Sequence, residues 1–261
     1  MNHGTLQGRI ALITGAGRGI GRAIALGFAR AGASVAISAR SQGEIDSVVE
    51  EVHCLGGHAL ALRADLTTPG APQELVRLAL KAFNTVNILV NNAGVGSAPN
   101  PRPVVDFDDD FWKLSLALNL TAPYLLCKAV LPTMLENKKG RIINIASIAG
   151  KIGLIHASAY CASKHGLLGL TKSLALEVAR EGITVNALCP GPVRTAMSDA
   201  RLAYDARRTG VPADELEAEM TPIGRRLVPD EIVPLAVLLA SDESAAITGQ
   251  AFNICGGVTM S

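Results

Sequence analysis

Three side chains between Ser147 and Lys164 are of types that can act together on one oxygen atom. Ser147 ends a short apolar run, Arg141-Ile-Ile-Asn-Ile-Ala-Ser147; Tyr160 follows thirteen positions later and Lys164 four after that. The apolar run reads as a buried parallel strand ending in a hydroxyl. Tyr160 and Lys164 fall in a segment with helical periodicity (Leu167, Leu168, Leu170, Leu174, Leu176), so this i, i+4 pair shares one face. A phenol ordinarily titrates near pH ~10. A neighbouring ammonium favours phenolate and pulls that value toward neutrality. A tyrosine tuned in this way can pass a proton to or from an alcohol, and the serine hydroxyl can hold the same oxygen. The pair taken alone also fits a core tyrosine beside a solvated lysine, so the surrounding elements must decide.

Composition bounds what those elements can be. The chain has 261 residues, 49% hydrophobic and 18% charged, enough for one large α/β domain with a buried core. The net charge is +1 and no run of five basic residues occurs, which argues against nucleic acid or an anionic membrane surface as partner. Residues 1–8 carry no apolar signal-like segment. Apolar stretches are broken by charge or glycine before the ~18 residues a membrane span needs. Five cysteines (Cys54, Cys127, Cys161, Cys189, Cys255) are dispersed, without a C-x-x-C pair or histidines at metal spacing. They fit small core residues in a reducing cytoplasm, and no metal site is expected. Cys161, next to Tyr160, is at most a point of sensitivity to alkylation.

In chain order, residues 9–14 form an apolar strand, followed by Gly15-Ala-Gly-Arg-Gly-Ile-Gly21 and a helical pattern to residue 32. A glycine turn between a strand and a helix lets backbone approach a pyrophosphate, which the helix N-terminus then binds. The second strand, residues 34–38, ends at Ala39-Arg40, where dinucleotide folds that select NAD place an acid for the ribose 2′-hydroxyl. With the acid absent, Arg40 and Arg18 of the glycine turn suit a 2′-phosphate, favouring NADP(H) and leaving NAD(H) possible. The alternative is that Arg40 is a solvated loop residue. A helix (43–55) and a third strand (59–63) lead to Asp65, either a ligand for the adenine amino group or a turn cap. A strand at 86–90 ends in Asn91-Asn92-Ala93-Gly94, amides able to cross-link strand ends and a glycine that leaves room for a ribose. Residues 95–110 form a Pro- and Asp-rich loop. A long helix, 111–137, carries Asn119 among apolar residues, to bind a water leading from Lys164 to solvent or to kink the helix. Strand 184–188 precedes Cys189-Pro-Gly-Pro-Val-Arg-Thr195, a rigid turn whose Thr195 could reach a carboxamide or a pyrophosphate. Residues 196–222, irregular to helical, read as a substrate lid, or else as an excursion for oligomer contacts. A helix at 229–240 and a strand at 251–254 close the chain. The β-α-β-α alternation predicts an α/β fold with one doubly wound parallel sheet of about seven strands and helices on both faces.

Taken together, Thr14-Gly15-(x3)-Gly19-x-Gly21, Asn91-Asn92-Ala93-Gly94, Asn119, Ser147, Tyr160-x-x-x-Lys164 and Pro190-Gly191 resemble the classical short-chain dehydrogenases/reductases, in the family's order and over nearly the whole chain. The resemblance implies a single Rossmann domain over residues 1–261 using NAD(P)(H), a cytoplasmic homotetramer assembled through the helices holding Asn119 and Tyr160, and a small-molecule carbonyl or alcohol substrate. It implies Tyr160 as acid/base, Ser147 as carbonyl orienter, Lys164 as holder of the nicotinamide ribose, and Asn119 as anchor of a relay water. Cofactor contacts implied in the same way are Gly15, Gly17, Arg18, Gly19, Ile20, Gly21, Arg40, Asp65, Leu66, Asn92, Ala93, Gly94, Tyr160, Lys164, Pro190, Gly191, Val193 and Thr195. The subgroup looks like 3-oxoacyl and polyketide ketoreductases and small-alcohol dehydrogenases. Three functions remain to be separated: an NADP(H)-dependent ketone or 3-oxoacyl reductase, an NAD-dependent alcohol or hydroxy-acid dehydrogenase, and a non-catalytic dinucleotide-binding regulator. His156, four residues before Tyr160, could border the substrate or be only a loop residue.

Overall fold

Seven parallel strands form one sheet in the computed structural model, which describes residues 4–260. Residues 1–3, part of the segment read for a signal sequence, lie outside the described residues. The strands are β1 (Ile10–Thr14), β2 (Ser34–Ala39), β3 (Ala59–Arg63), β4 (Ile88–Asn91), β5 (Gly140–Ile145), β6 (Ile183–Pro190) and β7 (Ala251–Ile254), in spatial order β3-β2-β1-β4-β5-β6-β7. The helices are α1 (Gly19–Arg30), α2 (Gln42–Cys54), α3 (Ala71–Phe83), α4 (Asp109–Leu116), α5 (Ala122–Glu136), α6 (Ser158–Val178), α7 (Ala196–Thr209), α8 (Ala213–Glu219) and α9 (Val233–Ala240). Strand order reverses between β1 and β4, and the carboxyl ends at such a switch point are where sheets of this kind bind ligands.

Near-continuous apolar strands follow from burial on both faces. Ala11 and Ile13 of β1 pack with Ile24 and Phe28 of α1, Ile45 and Val48 of α2, and Val233 of α9. Leu12 faces the other way, into Leu75 of α3 and Leu126, Val130 and Met134 of α5. Register then aligns the polar strand ends: Thr14 pairs with Ser38, and Asn91 with Asn144.

Two predicted elements differ in detail. The helix expected at 111–137 begins at Asp109, because Asp108 Oδ1 accepts from the amides of Asp110 (2.8 Å) and Phe111 (3.2 Å). A π-helical turn, Ala117–Thr121, then interrupts it at Asn119. The run Asp109–Glu136 is long and apolar enough, by length and composition, to cross a membrane; its inward side chains pack on the sheet, which accounts for that apolarity. The strand expected to reach Ser147 stops at Ile145, and Ser147 instead caps a 3-10 turn (Ile148–Gly150), its Oγ accepting from Ala149 N at 3.1 Å. Residues 196–222 are more regular than expected, because they contain α7 and α8.

Candidate active site

Ser147, Tyr160 and Lys164 meet at the carboxyl end of β5, as their spacing predicts. Ser147 hydrogen-bonds the Tyr160 hydroxyl. Lys164 is buried on α6, its Nζ 5.8 Å from the Tyr160 ring centroid and donating to Ile145 O at 2.7 Å. The electrostatics reverse one expectation. Burial pushes the Tyr160 hydroxyl above its ordinary value, opposed by the Ser147 hydrogen bond. Burial also draws Lys164 down from 10.5 to about 8. Desolvation disfavours both charged forms here, so the site holds a protonated phenol beside an ammonium that is easily discharged.

Asn119 is buried, and its side chain is fully engaged. Oδ1 accepts from Val95 N (2.8 Å), while Nδ2 donates to Val95 O (3.0 Å) and Ser163 Oγ (3.0 Å). Ser163 Oγ in turn donates to Tyr160 O at 2.8 Å, so the π turn is bonded to the first turns of α6. Ser163 is a positioning residue that sequence reasoning missed; it sits one residue before the lysine, with no signal beyond that adjacency. Pro123 has no N–H to give the Asn119 carbonyl an i+4 donor, and the chain passes this point in the wider π turn.

The glycine turn is braced from β4. Thr14 Oγ1 accepts from Asn92 N and Ala93 N, both at 3.1 Å, and Asn92 Nδ2 donates to Thr14 O and Gly15 O, both at 2.9 Å. Asn91 Nδ2 donates to Asn144 Oδ1 at 2.8 Å, the cross-link expected of these amides. A Cβ on Gly15 would lie 2.7 Å from Ala93 Cα, and one on Gly21 would collide with Asn92 Nδ2 and Gly15 O. Gly19 has φ +57°. Among the described residues no side chain caps the first amides of α1, which leaves them open to water or to an anionic ligand. A close-approach cradle under an uncapped helix N-terminus fits a dinucleotide pyrophosphate. Ile20 packs on the core beneath the turn. Gly94 lies beside Asn119, where a Cβ would come 3.0 Å from Oδ1.

At the far end of this turn the pairing of Arg18 and Arg40 without a carboxylate, expected from the sequence, does not hold. Glu44 of α2 lies there, its Oε1 3.5 Å from Arg18 Nη1 and its Cβ where a side chain on Gly17 would fall. The first turn of α2 folds back over the glycines, a contact that linear spacing does not show. Arg40 is exposed, and its carbonyl accepts from Arg63 Nε at 3.0 Å. The Asp65 carboxyl is held below its ordinary value by Thr67 Oγ1, then by the Thr67 amide, with the Arg40 charge adding to both. Asp65 thus caps this turn through Oδ1, one of the two roles expected of it, and Leu66 beside it is buried.

The opposite wall comes from the end of β6. Pro190 closes the strand, and Gly191 donates to Ile254 O at 2.9 Å, with no room for a side chain against Cys255. Val193 is buried and bridges to Leu227. Thr195 caps α7 and lies against Gly19, where a Cβ would come 3.3 Å from its Cγ2. The N-termini of α1 and α7 therefore face one crevice.

Comparison with known proteins agrees with this geometry. Residues 9–205 match the family model described as short chain dehydrogenase. Ketoacyl reductase 1, assigned to the granaticin polyketide synthase of Streptomyces violaceoruber, is 40% identical over 260 residues, covering 98% of this chain and 94% of that protein. A 3-oxoacyl-[acyl-carrier-protein] reductase of Synechocystis is 38% identical over 257 residues, 98% of each chain. The crystal structure of an actinorhodin polyketide ketoreductase variant with NADPH superposes with a TM-score of 0.91 at 37% identity, covering 96% of this chain and 97% of that one. With the sheet order, the glycine cradle and the Ser147–Tyr160–Lys164 cluster, these matches identify the chain as a member of the short-chain dehydrogenase/reductase family, an NAD(P)-dependent oxidoreductase.

Proposed function

We propose that this protein reduces a ketone, of the 3-oxoacyl class, to a secondary alcohol with NADP(H). The whole chain would be one cofactor-binding domain, with residues 196–222 as its lid. One observation carries the reading: a Tyr160 hydroxyl held protonated by burial and bonded to Ser147 is a proton donor poised for a carbonyl oxygen. A nicotinamide dinucleotide, when bound, supplies the hydride. Ser147 orients the carbonyl, Tyr160 protonates its oxygen as charge develops there, and Lys164 holds the ribose and stabilises the phenolate left behind. Asn119 would anchor a relay water through its main-chain carbonyl, since its side chain is taken by Val95 and Ser163. The cradle of Gly15, Gly17, Gly19 and Gly21 would take the pyrophosphate, Asn92 and Thr14 would brace it, and Thr195 would close over it. Arg18 and Arg40 favour the 2′-phosphate, with Glu44 opposing them.

The names of the relatives, ketoacyl and 3-oxoacyl reductases, support the substrate class, and the NADPH of the actinorhodin ketoreductase structure supports the cofactor. Free cysteines support a reducing, cytoplasmic setting. Exposed Tyr124 on α5 and Leu176 on α6 support a homotetramer built on those helices. The test is turnover of ethyl acetoacetate and an acetoacetyl thioester with NADPH and NADH, followed at 340 nm. Expected is a preference for NADPH and a loss of about 10²–10⁴-fold in kcat for Tyr160→Phe, the range for removing a general acid. Near-normal turnover by that variant would end the reading.

A further inference from the structure

Lid helix α7 is fastened to both loops that border the approach to Tyr160, and one guanidinium makes both connections. Arg201 Nη1 donates to Ser97 Oγ at 3.1 Å, and Nη2 donates to Ile155 O at 3.0 Å. Ser97 lies in the loop after β4, and Ile155 lies in the loop after β5, five residues before Tyr160. Asp205, one turn along α7, pre-sets the fork by accepting from Nε (2.7 Å) and Nη2 (3.1 Å). The Arg201 side chain is only 16% exposed and Ser97 8%, so the bond to Ser97 is little weakened by competing water, while the bond to Ile155 O lies at the exposed end of the strut. Neighbouring contacts act in the same sense. Tyr204 Oη bonds His156 Nδ1 at 2.6 Å, and Arg201 stacks 5.2 Å from the Tyr204 ring centroid. Met197 presses on Gly96, where a Cβ would lie 2.7 Å from its Cγ. His156 has φ +53°, a left-handed conformation that a non-glycine residue adopts only when its surroundings enforce it.

We propose that Arg201 is a specificity-determining strut: by tying Ser97 to Ile155 across the cleft it limits the bulk of the carbonyl compound that can reach Tyr160. The inference rests on the carbonyl-reductase reading above and names which substrates that site takes, slim in preference to branched. A substrate wider than the tied gap must break one of the two spanning bonds. A hydrogen bond to a charged donor is strong enough for that to discriminate about tenfold. Lysine cannot replace the arginine, because a single ammonium does not present a planar fork to Ser97, Ile155 and Asp205 at once.

The experiment compares wild type with Ser97→Ala and Arg201→Lys, measuring kcat and KM with NADPH for ethyl acetoacetate and its 2-benzyl derivative. The expected result is a rise of about tenfold in the bulky-to-slim ratio of kcat/KM in Ser97→Ala and Arg201→Lys, carried mainly by KM of the bulky ester. A role in stability alone would lower both substrates together, so an unchanged ratio in these two variants, with native circular dichroism, overturns the proposal. Should wild type reduce neither ester, the carbonyl reading fails separately. The strut is then read from hydrogen exchange over residues 152–157 and 196–209. Exchange about tenfold faster in Ser97→Ala and Arg201→Lys supports it, and unchanged protection overturns it.

Discussion

Replacing Lys164 by methionine should abolish turnover and yet make the folded chain more stable near neutral pH. Lys164 is almost fully buried, and burial lowers its pKa from 10.5 to about 8. At about 1.4 kcal/mol for each pH step, that drop means the charged form is disfavoured in the folded state by about 3 kcal/mol. Methionine removes the charge and keeps most of the volume. Part of the gain is lost again, because Ile145 O forfeits the Nζ donor it now has at 2.7 Å, an effect of about 1 kcal/mol. The net expectation at pH 7 is a gain of about 2 kcal/mol. Its pH dependence is the sharper part. Below pH 8 the lysine is protonated in both folded and unfolded chains, so the difference between variant and wild type is flat. Between about 8 and 10.5 the unfolded wild type keeps a proton that the folded wild type has released. Wild-type stability must then rise with pH relative to the variant, and the ~2 kcal/mol gap should close about 1.5 pH steps above 8, near pH ~9.5, and be reversed by pH 10.5. Urea denaturation of both cofactor-free proteins from pH 7 to 10.5, followed by far-UV circular dichroism, measures this directly. A variant less stable than wild type at pH 7, or a gap that does not move with pH, refutes the desolvation argument.

Glu44→Gln removes the carboxylate 3.5 Å from Arg18, so the NADPH-to-NADH ratio of kcat/KM should rise several-fold at low ionic strength and less in ~0.5 M salt, where exposed charges are screened. An unmoved ratio would place Glu44 outside the 2′-phosphate end of the site. Ser163→Ala strips one acceptor from buried Asn119 Nδ2 and the donor to Tyr160 O; a loss of about 1–3 kcal/mol in urea is expected for the stranded amide. Kcat should fall more than KM rises as the Tyr160 turn loosens, and wild-type values for both stability and kcat would refute the bracing role.

How much of this was readable in advance depended on whether a requirement was local. β1, its glycine turn and α1 are contiguous, and the turn's glycines answer to sterics that any sequence with that geometry must meet, so they could be read directly. Ser147, Tyr160 and Lys164 could be read for the same reason: a strand end and one helical turn place all three. What failed were contacts between segments far apart in the chain. Nothing near Arg18 announces that Glu44 will fold over it. No periodicity in residues 196–222 tells that Arg201 will reach Ser97, because that bond depends on how α7 lies across two loops. The helix near 111–137 is legible, but its start at Asp109 and its π turn are not, since a single extra residue leaves apolar periodicity almost unchanged.

Spacing alone suggested an ammonium that acidifies a phenol, which would suit withdrawal of a proton from an alcohol. Three-dimensional packing instead buries both groups, holding Tyr160 protonated and Lys164 near the point of losing its charge. A protonated phenol bonded to Ser147 is the form a carbonyl oxygen needs when hydride arrives at the neighbouring carbon. In the proposed reduction the lysine's Nζ, fixed to Ile145 O beside the ring, would gain stabilisation as the phenol gives up its proton, because an anion would appear next to a buried cation. Strain placed on the resting charge is thereby relieved in the product of proton transfer. That coupling is why the same two residues can tolerate unfavourable burial, and why the stability of Lys164→Met and the loss of its turnover are two sides of one energetic arrangement.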